Sequence, residues 1–150
     1  MGTSDSAILA IVGGGNMGAA LAGGLLSSGF ITTNDLMIVE VLEARRQHLA
    51  QLFPGVTISA TIGPCGSAVI AVKPPDVPAA ANACVGAGAT RVLSIAAGVT
   101  IKTLESACGA GVAVVRAMPN TPALVGQGAS GIAGGTHATQ ADLEWAQAVL

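Results

Sequence analysis

Gly13, Gly15 and Gly18 stand in a G-x-G-x-x-G spacing directly behind the apolar run Ala7-Ile8-Leu9-Ala10-Ile11-Val12. Each glycine has its own task in such a loop. Gly13 lets a strand turn sharply, Gly15 removes a Cβ where a pyrophosphate must approach, and Gly18 lets a helix pack close to the strand. The helix that follows turns its unsatisfied N–H groups and positive dipole end toward the phosphates. Glycine spacing alone is weak evidence. Between a strand and a helix it points to a dinucleotide. Gly13, Gly14, Gly15, Asn16, Met17 and Gly18 are therefore the candidate phosphate cradle.

Glu40 closes the next apolar run, roughly 20 residues on, where an acid can accept the ribose 2′-hydroxyl of NAD. A solvated strand-end acid is the alternative. Arg45 and Arg46 follow on the next helix and could hold a 2′-phosphate, or pair with Glu43 or Glu40. NAD and NADP both stay open.

Three further segments hold unusual residues at strand ends: Ala71-Val72-Lys73-Pro74, Ala96-Ala97-Gly98 and Arg116-Ala117-Met118-Pro119-Asn120-Thr121-Pro122. Ligands of open parallel sheets bind beyond the carboxyl ends of the strands, so all four segments should converge on one crevice. Lys73, before two prolines, is a candidate cation for cofactor or substrate, or an exposed loop lysine. Ala96, Ala97 and Gly98 offer no chemistry, and their smallness would let a flat ring lie against the backbone. Asn120 could orient an amide or carboxylate near the reacting groups, or close an Asx turn. His48 and His137 lie on polar segments and read as surface residues. The pattern contains no metal-ligand cluster and no Ser-His-acid set.

These segments need an alternating scaffold to bring them together. Strands are expected at Ala7–Val12, Leu36–Val41, Val56–Ser59, Ala68–Val72, Arg91–Ile95 and Val112–Ala117. Helices are expected at Met17–Ser28, Leu42–Leu52, Pro75–Val85, Ile101–Cys108 behind a Thr100 cap, and Gln140–Leu150 behind a Thr139 cap. Strand and helix in alternation predict a doubly wound, Rossmann-type α/β domain with a mostly parallel sheet over residues 1–150. Thr61–Ser67 reads as a Gly/Pro-rich connection. The last helix carries an apolar face with no stop signal behind it, which reads as the front part of a longer protein.

Composition agrees with that scaffold. Hydrophobic residues make up 51% and aromatics only 2%, so Ala, Val, Ile and Leu must build the core, as in a buried parallel sheet. With net charge −2 and six Lys and Arg residues spread along the chain, nucleic-acid binding is not expected. No apolar stretch is long enough to span a bilayer. Cys65, Cys84 and Cys108 form no C-x-x-C pair and read as buried or incidental thiols of a reducing compartment. Ser4-Asp5-Ser6 precedes the first apolar run, which does not fit a signal peptide. A cytoplasmic protein is the expectation.

Taken together, Ile11-Val12-Gly13-Gly14-Gly15-Asn16-Met17-Gly18, Ala71-Val72-Lys73-Pro74, Ala96-Ala97-Gly98-Val99 and Val115-Arg116-Ala117-Met118-Pro119-Asn120-Thr121-Pro122, with Val125-Gly126-Gln127-Gly128 behind, resemble pyrroline-5-carboxylate reductase. The Arg-Ala-Met-Pro-Asn-Thr-Pro run is the most specific part. The resemblance implies reduction of 1-pyrroline-5-carboxylate to L-proline by NADPH or NADH. By position it implies pyrophosphate on the Gly13–Gly18 loop, nicotinamide beside Ala71–Pro74 and Ala96–Gly98, and Asn120 near the active crevice. It further implies a second, all-helical domain that forms the dimer and holds most substrate contacts, none of it present in these residues. Thr61–Ser67 departs from the family's usual helix. Two alternatives remain: another NAD(P)-dependent oxidoreductase, of the β-hydroxyacid or deazaflavin-linked type, and a non-catalytic dinucleotide-binding module.

Overall fold

The chain is represented by a computed structural model that describes residues 8–118 and 131–150. Strand and helix alternate as the hydrophobic pattern requires: β1 (Leu9–Val12), α1 (Asn16–Ser27), β2 (Leu36–Val39), α2 (Glu43–Leu52), β3 (Thr57–Ser59), β4 (Ser67–Ile70), α3 (Val77–Gly86), β5 (Arg91–Ser94), α4 (Ile101–Cys108), β6 (Ala113–Ala117), β7 (Ile132–Gly134) and α5 (Gln140–Val149). The strands form one seven-stranded sheet in the order β3-β2-β1-β4-β5-β6-β7. The first six run parallel, and β7 pairs antiparallel to β6.

Period-two alternation divides the core between the two faces of the sheet. Ala10, Val39, Ile70, Val92 and Val114 join α3 and α4 on one face. Ile11, Ile38, Val69, Leu93 and Val115 join α1, α2 and α5 on the other. The central strands are thus apolar on both sides, as parallel strands covered by helices must be. β1 pairs with β2 on one side and β4 on the other. The chain reverses direction across the sheet at that seam, which opens a crevice at the strands' carboxyl ends.

Among the described residues, α4 and α5 start on side-chain caps. The Thr103 N–H donates to Thr100 Oγ1 at 3.1 Å. At α5, the Asp142 N–H donates to Thr139 Oγ1 at 3.3 Å and the Thr139 N–H donates back to the Asp142 carboxylate at 2.8 Å. Asp142 also pairs with Arg91 at 3.4 Å, and the Arg91 guanidinium lies 4.2 Å from the centre of the Trp145 ring. These contacts fasten α5 to the start of β5.

Several boundaries differ from the sequence reading. β2 ends at Val39, two residues early, and Val41 and Leu42 stand 77% and 64% exposed. A 3-10 turn over Pro74–Asp76 precedes α3, which begins at Val77. β7 was not anticipated. Gly134 within it sits where a Cβ would come 2.9 Å from Ala138 Cβ.

All three cysteines are buried and unpaired, in the α3–α4 half of the core. Burial pushes the Cys84 thiol up to about 12, with Cys65 and Cys108 adding a smaller push in the same direction. Burial likewise raises Cys65 and Cys108. The native fold therefore holds neutral thiols. Their contribution to stability is present below the ordinary thiol value of 9.0 and is lost as pH climbs through the raised values. Titration of the native chain with a disulfide reagent at pH 8 should label none of the three, and titration in denaturant should label all of them.

Candidate functional site

The glycine loop begins where β1 runs out. Gly13 adopts φ +109°, and a Cβ there would lie 2.6 Å from the Ala71 carbonyl oxygen. Its N–H donates to Val39 O at 2.8 Å, tying the loop to the end of β2. A Cβ on Gly18 would fall on the Gly13 carbonyl oxygen and 3.4 Å from Ile11 Cγ2. Only glycine lets α1 sit this close to β1. Around Gly15 nothing lies within 4 Å of the position a Cβ would take. Gly15 is also the N-cap of α1, with no side-chain cap and no acidic residue in the first turn. The helix's first N–H groups are thus left for a partner from outside. An open cradle, positive by dipole and with no acid in the first turn of α1, fits a diphosphate.

Glu40 follows β2 directly. Its Oε1 accepts from the Gly14 N–H at 2.9 Å and its Oε2 from the Leu42 N–H at 3.0 Å. Both oxygens are engaged by backbone, and each retains a further acceptor position. Arg45 Nε donates to the Gly14 carbonyl at 2.6 Å. Arg46 Nη1 donates to the carbonyls of Glu40 and Val41 at 2.9 and 2.8 Å. Neither arginine makes an ion pair with Glu43 or Glu40 among the described residues.

The predicted convergence at the strand ends is present. Met17, Ala71, Val72, Pro74, Ile95, Ala96, Ala97 and Met118 line one crevice of about 250 Å³. It draws on α1 and on the segments behind β4, β5 and β6, the strands that follow β1 in order along the sheet. None of these lining residues is ionisable, so among the described residues the crevice wall can position and desolvate a ligand but holds no proton donor. Ala96 is buried, and its N–H donates to Ser94 Oγ at 3.3 Å. Gly98 turns the chain away at φ +76°.

Lys73 lies next to this crevice in sequence, and its side chain is exposed and does not line it. Its carbonyl accepts from the Asp76 N–H at 2.9 Å, so the backbone there is held by the 3-10 turn. Asn120, with Pro119, Thr121 and Pro122, lies outside the described residues. His48 and His137 are exposed and away from the crevice, as expected. No group of three metal-ligating side chains occurs among the described residues. No described helix is long and apolar enough to cross a membrane.

Met118 lies in a segment expected at the crevice; Ile95, expected as the last residue of its strand, lies one step beyond it and lines the crevice too. No separate part was expected of Gly14. The signal was there in the third adjacent glycine, at a position the fingerprint leaves free.

Among curated proteins, the pyrroline-5-carboxylate reductase of Mycobacterium leprae is 39% identical over 150 residues, covering 94% of this chain and 51% of the relative. The chain thus spans about half the length of the curated relatives it matches. Among solved structures, a pyrroline-5-carboxylate reductase from Coxiella burnetii superposes with a TM-score of 0.83 at 23% identity, over 96% of this chain and 55% of that one. The Plasmodium falciparum pyrroline carboxylate reductase with NADP bound gives 0.74 at 23% identity, over 97% and 54%. At these identities the two structures establish the Rossmann-type fold. A family pattern described as NADP oxidoreductase, coenzyme F420-dependent, matches residues 8–98, from β1 through the turn behind β5. The chain belongs to that NADP oxidoreductase family, and it is similar to curated proteins named pyrroline-5-carboxylate reductase.

Proposed function

We propose that this chain is the dinucleotide-binding half of a pyrroline-5-carboxylate reductase, which reduces 1-pyrroline-5-carboxylate to L-proline with NADPH or NADH. The observation that carries the reading is the pairing of an open, uncapped Gly15 cradle with an apolar crevice at the adjoining strand ends. When bound, the cofactor supplies the hydride. Gly13, Gly14, Gly15, Asn16, Met17 and Gly18 would hold its diphosphate, with Glu40 at the ribose end. Ala71, Val72, Lys73, Pro74, Ala96, Ala97 and Gly98 would border its nicotinamide.

The chemistry suits a crevice whose described lining carries no acid or base. A protonated cyclic imine is already electrophilic at carbon, so the protein's main task is orientation and exclusion of water. Met17, Ile95 and Met118 provide that apolar enclosure. Lys73 and Asn120 are placed near the substrate on this reading. The remaining substrate contacts and the homo-oligomer interface are assigned to the part of the relatives' length that this chain does not span. Three buried free thiols support a reducing, cytoplasmic setting.

Calorimetry with NADPH and NADH, together with a proline-forming assay, tests this reading. The 150-residue chain should bind a reduced cofactor saturably and form little or no proline by itself. A chain that binds neither cofactor would remove the proposal. Robust turnover by the chain alone would overturn the division of labour between the two halves.

A further inference from the structure

Gly14 is the glycine that the fingerprint does not demand, and its surroundings explain it. A Cβ at Gly14 would lie 2.5 Å from Leu49 Cδ1 and 3.1 Å from Glu40 Cβ. Its peptide groups are gripped from both sides. The N–H donates to Glu40 Oε1, and the carbonyl accepts from Arg45 Nε. The grip is itself anchored, because the Leu42 N–H holds Glu40 Oε2 and Arg46 Nη1 holds the carbonyls of Glu40 and Val41.

We propose that Glu40 and Arg45 are positioning residues that clamp Gly14 and preset the loop for a diphosphate, independently of what the cofactor carries at its 2′ position. Three consecutive glycines have more conformational freedom than any other tripeptide, and a ligand that had to order them would bind more weakly. The clamp removes that freedom before the ligand arrives. It also acts electrically. The Gly14 carbonyl and the Gly15 N–H belong to one peptide unit, so donation by a guanidinium into that carbonyl polarises the N–H on its other side. Gly15 is the residue with open space in front of it. The Glu40 carboxylate, which would repel a diphosphate, spends its charge on two N–H donors instead.

This inference rests on the proposed dinucleotide binding, and two measurements separate them. In the ligand-free chain, amide hydrogen exchange should show the Gly14 N–H protected relative to Gly15. Glu40→Ala should erase the difference and Glu40→Gln, which keeps one acceptor oxygen, should partly restore it. Equal exchange in the wild type would overturn the clamp and leave dinucleotide binding standing. In calorimetry, Arg45→Met should weaken NADPH and NADH by the same factor, on the order of tenfold for a lost charge-assisted bond, with the melting temperature lowered by no more than about 5 °C. Arg45→Lys should recover part of the loss for both. Weakening of NADPH alone would make Arg45 a 2′-phosphate ligand and overturn the proposal, as would no weakening of either. A wild-type chain that binds neither cofactor would instead sink the functional reading on which the clamp depends.

Discussion

Gly15→Val should leave the fold standing and remove cofactor binding. The valine Cβ would enter open space, since nothing lies within 4 Å of that position. The backbone there, φ −74° and ψ −164°, is extended and open to a β-branched residue. A poorer N-cap costs about 1 kcal/mol, so the melting temperature should fall by no more than about 5 °C. The same side chain occupies the cradle in front of the α1 N-terminus. Affinity for NADPH should drop at least about a hundredfold, or ~2.7 kcal/mol. Circular dichroism and calorimetry on one preparation give both halves of the result. Unchanged affinity would move the phosphate site elsewhere.

Gly18→Val should do the reverse, injuring the fold first. Its Cβ would fall on the Gly13 carbonyl oxygen, a backbone atom with no room to yield. To accept it, α1 must lift away from β1 and give up packing at Leu21, Ala22 and Leu25, all buried. Overpacking against backbone costs about 3 kcal/mol or more. For a chain of this size the melting temperature should fall by about 10 °C. Cofactor binding should weaken as well, because the loop that α1 braces would shift. A variant as stable as the wild type would show that the close approach of helix and strand is not required.

The contrast between these two glycines shows what could be read from the sequence alone. The loop was legible because both neighbours announced themselves, β1 by its β-branched apolar run and α1 by its small-residue pattern. The mostly parallel sheet followed from alternation, and so did the meeting of Ala71, Ala96 and Met118 at one crevice. What the sequence hid was decided by backbone partners. Glu40 was found by spacing, yet its carboxylate meets the N–H groups of Gly14 and Leu42, which no side chain advertises. β7 was hidden because Ile132 and Ala133 lie among glycines, and only pairing with Ala117 and Arg116 makes them a strand. β2 was read too long because Val41 is apolar and β-branched. The sheet had already ended at Val39, and Val41 projects into solvent.

The most direct test of dinucleotide binding is amide chemical-shift mapping during titration with NADPH, for which a 14.5 kDa chain is well sized. Saturable shifts should concentrate at Gly14, Gly15, Asn16 and Met17, then at Ala71, Val72, Ala96 and Ala97. The Arg91–Trp145 contact, at the strands' opposite ends, should not move. Shifts centred on Arg91 and Trp145, or no saturable shifts at all, would contradict the assignment of the glycine loop and its crevice as the cofactor site.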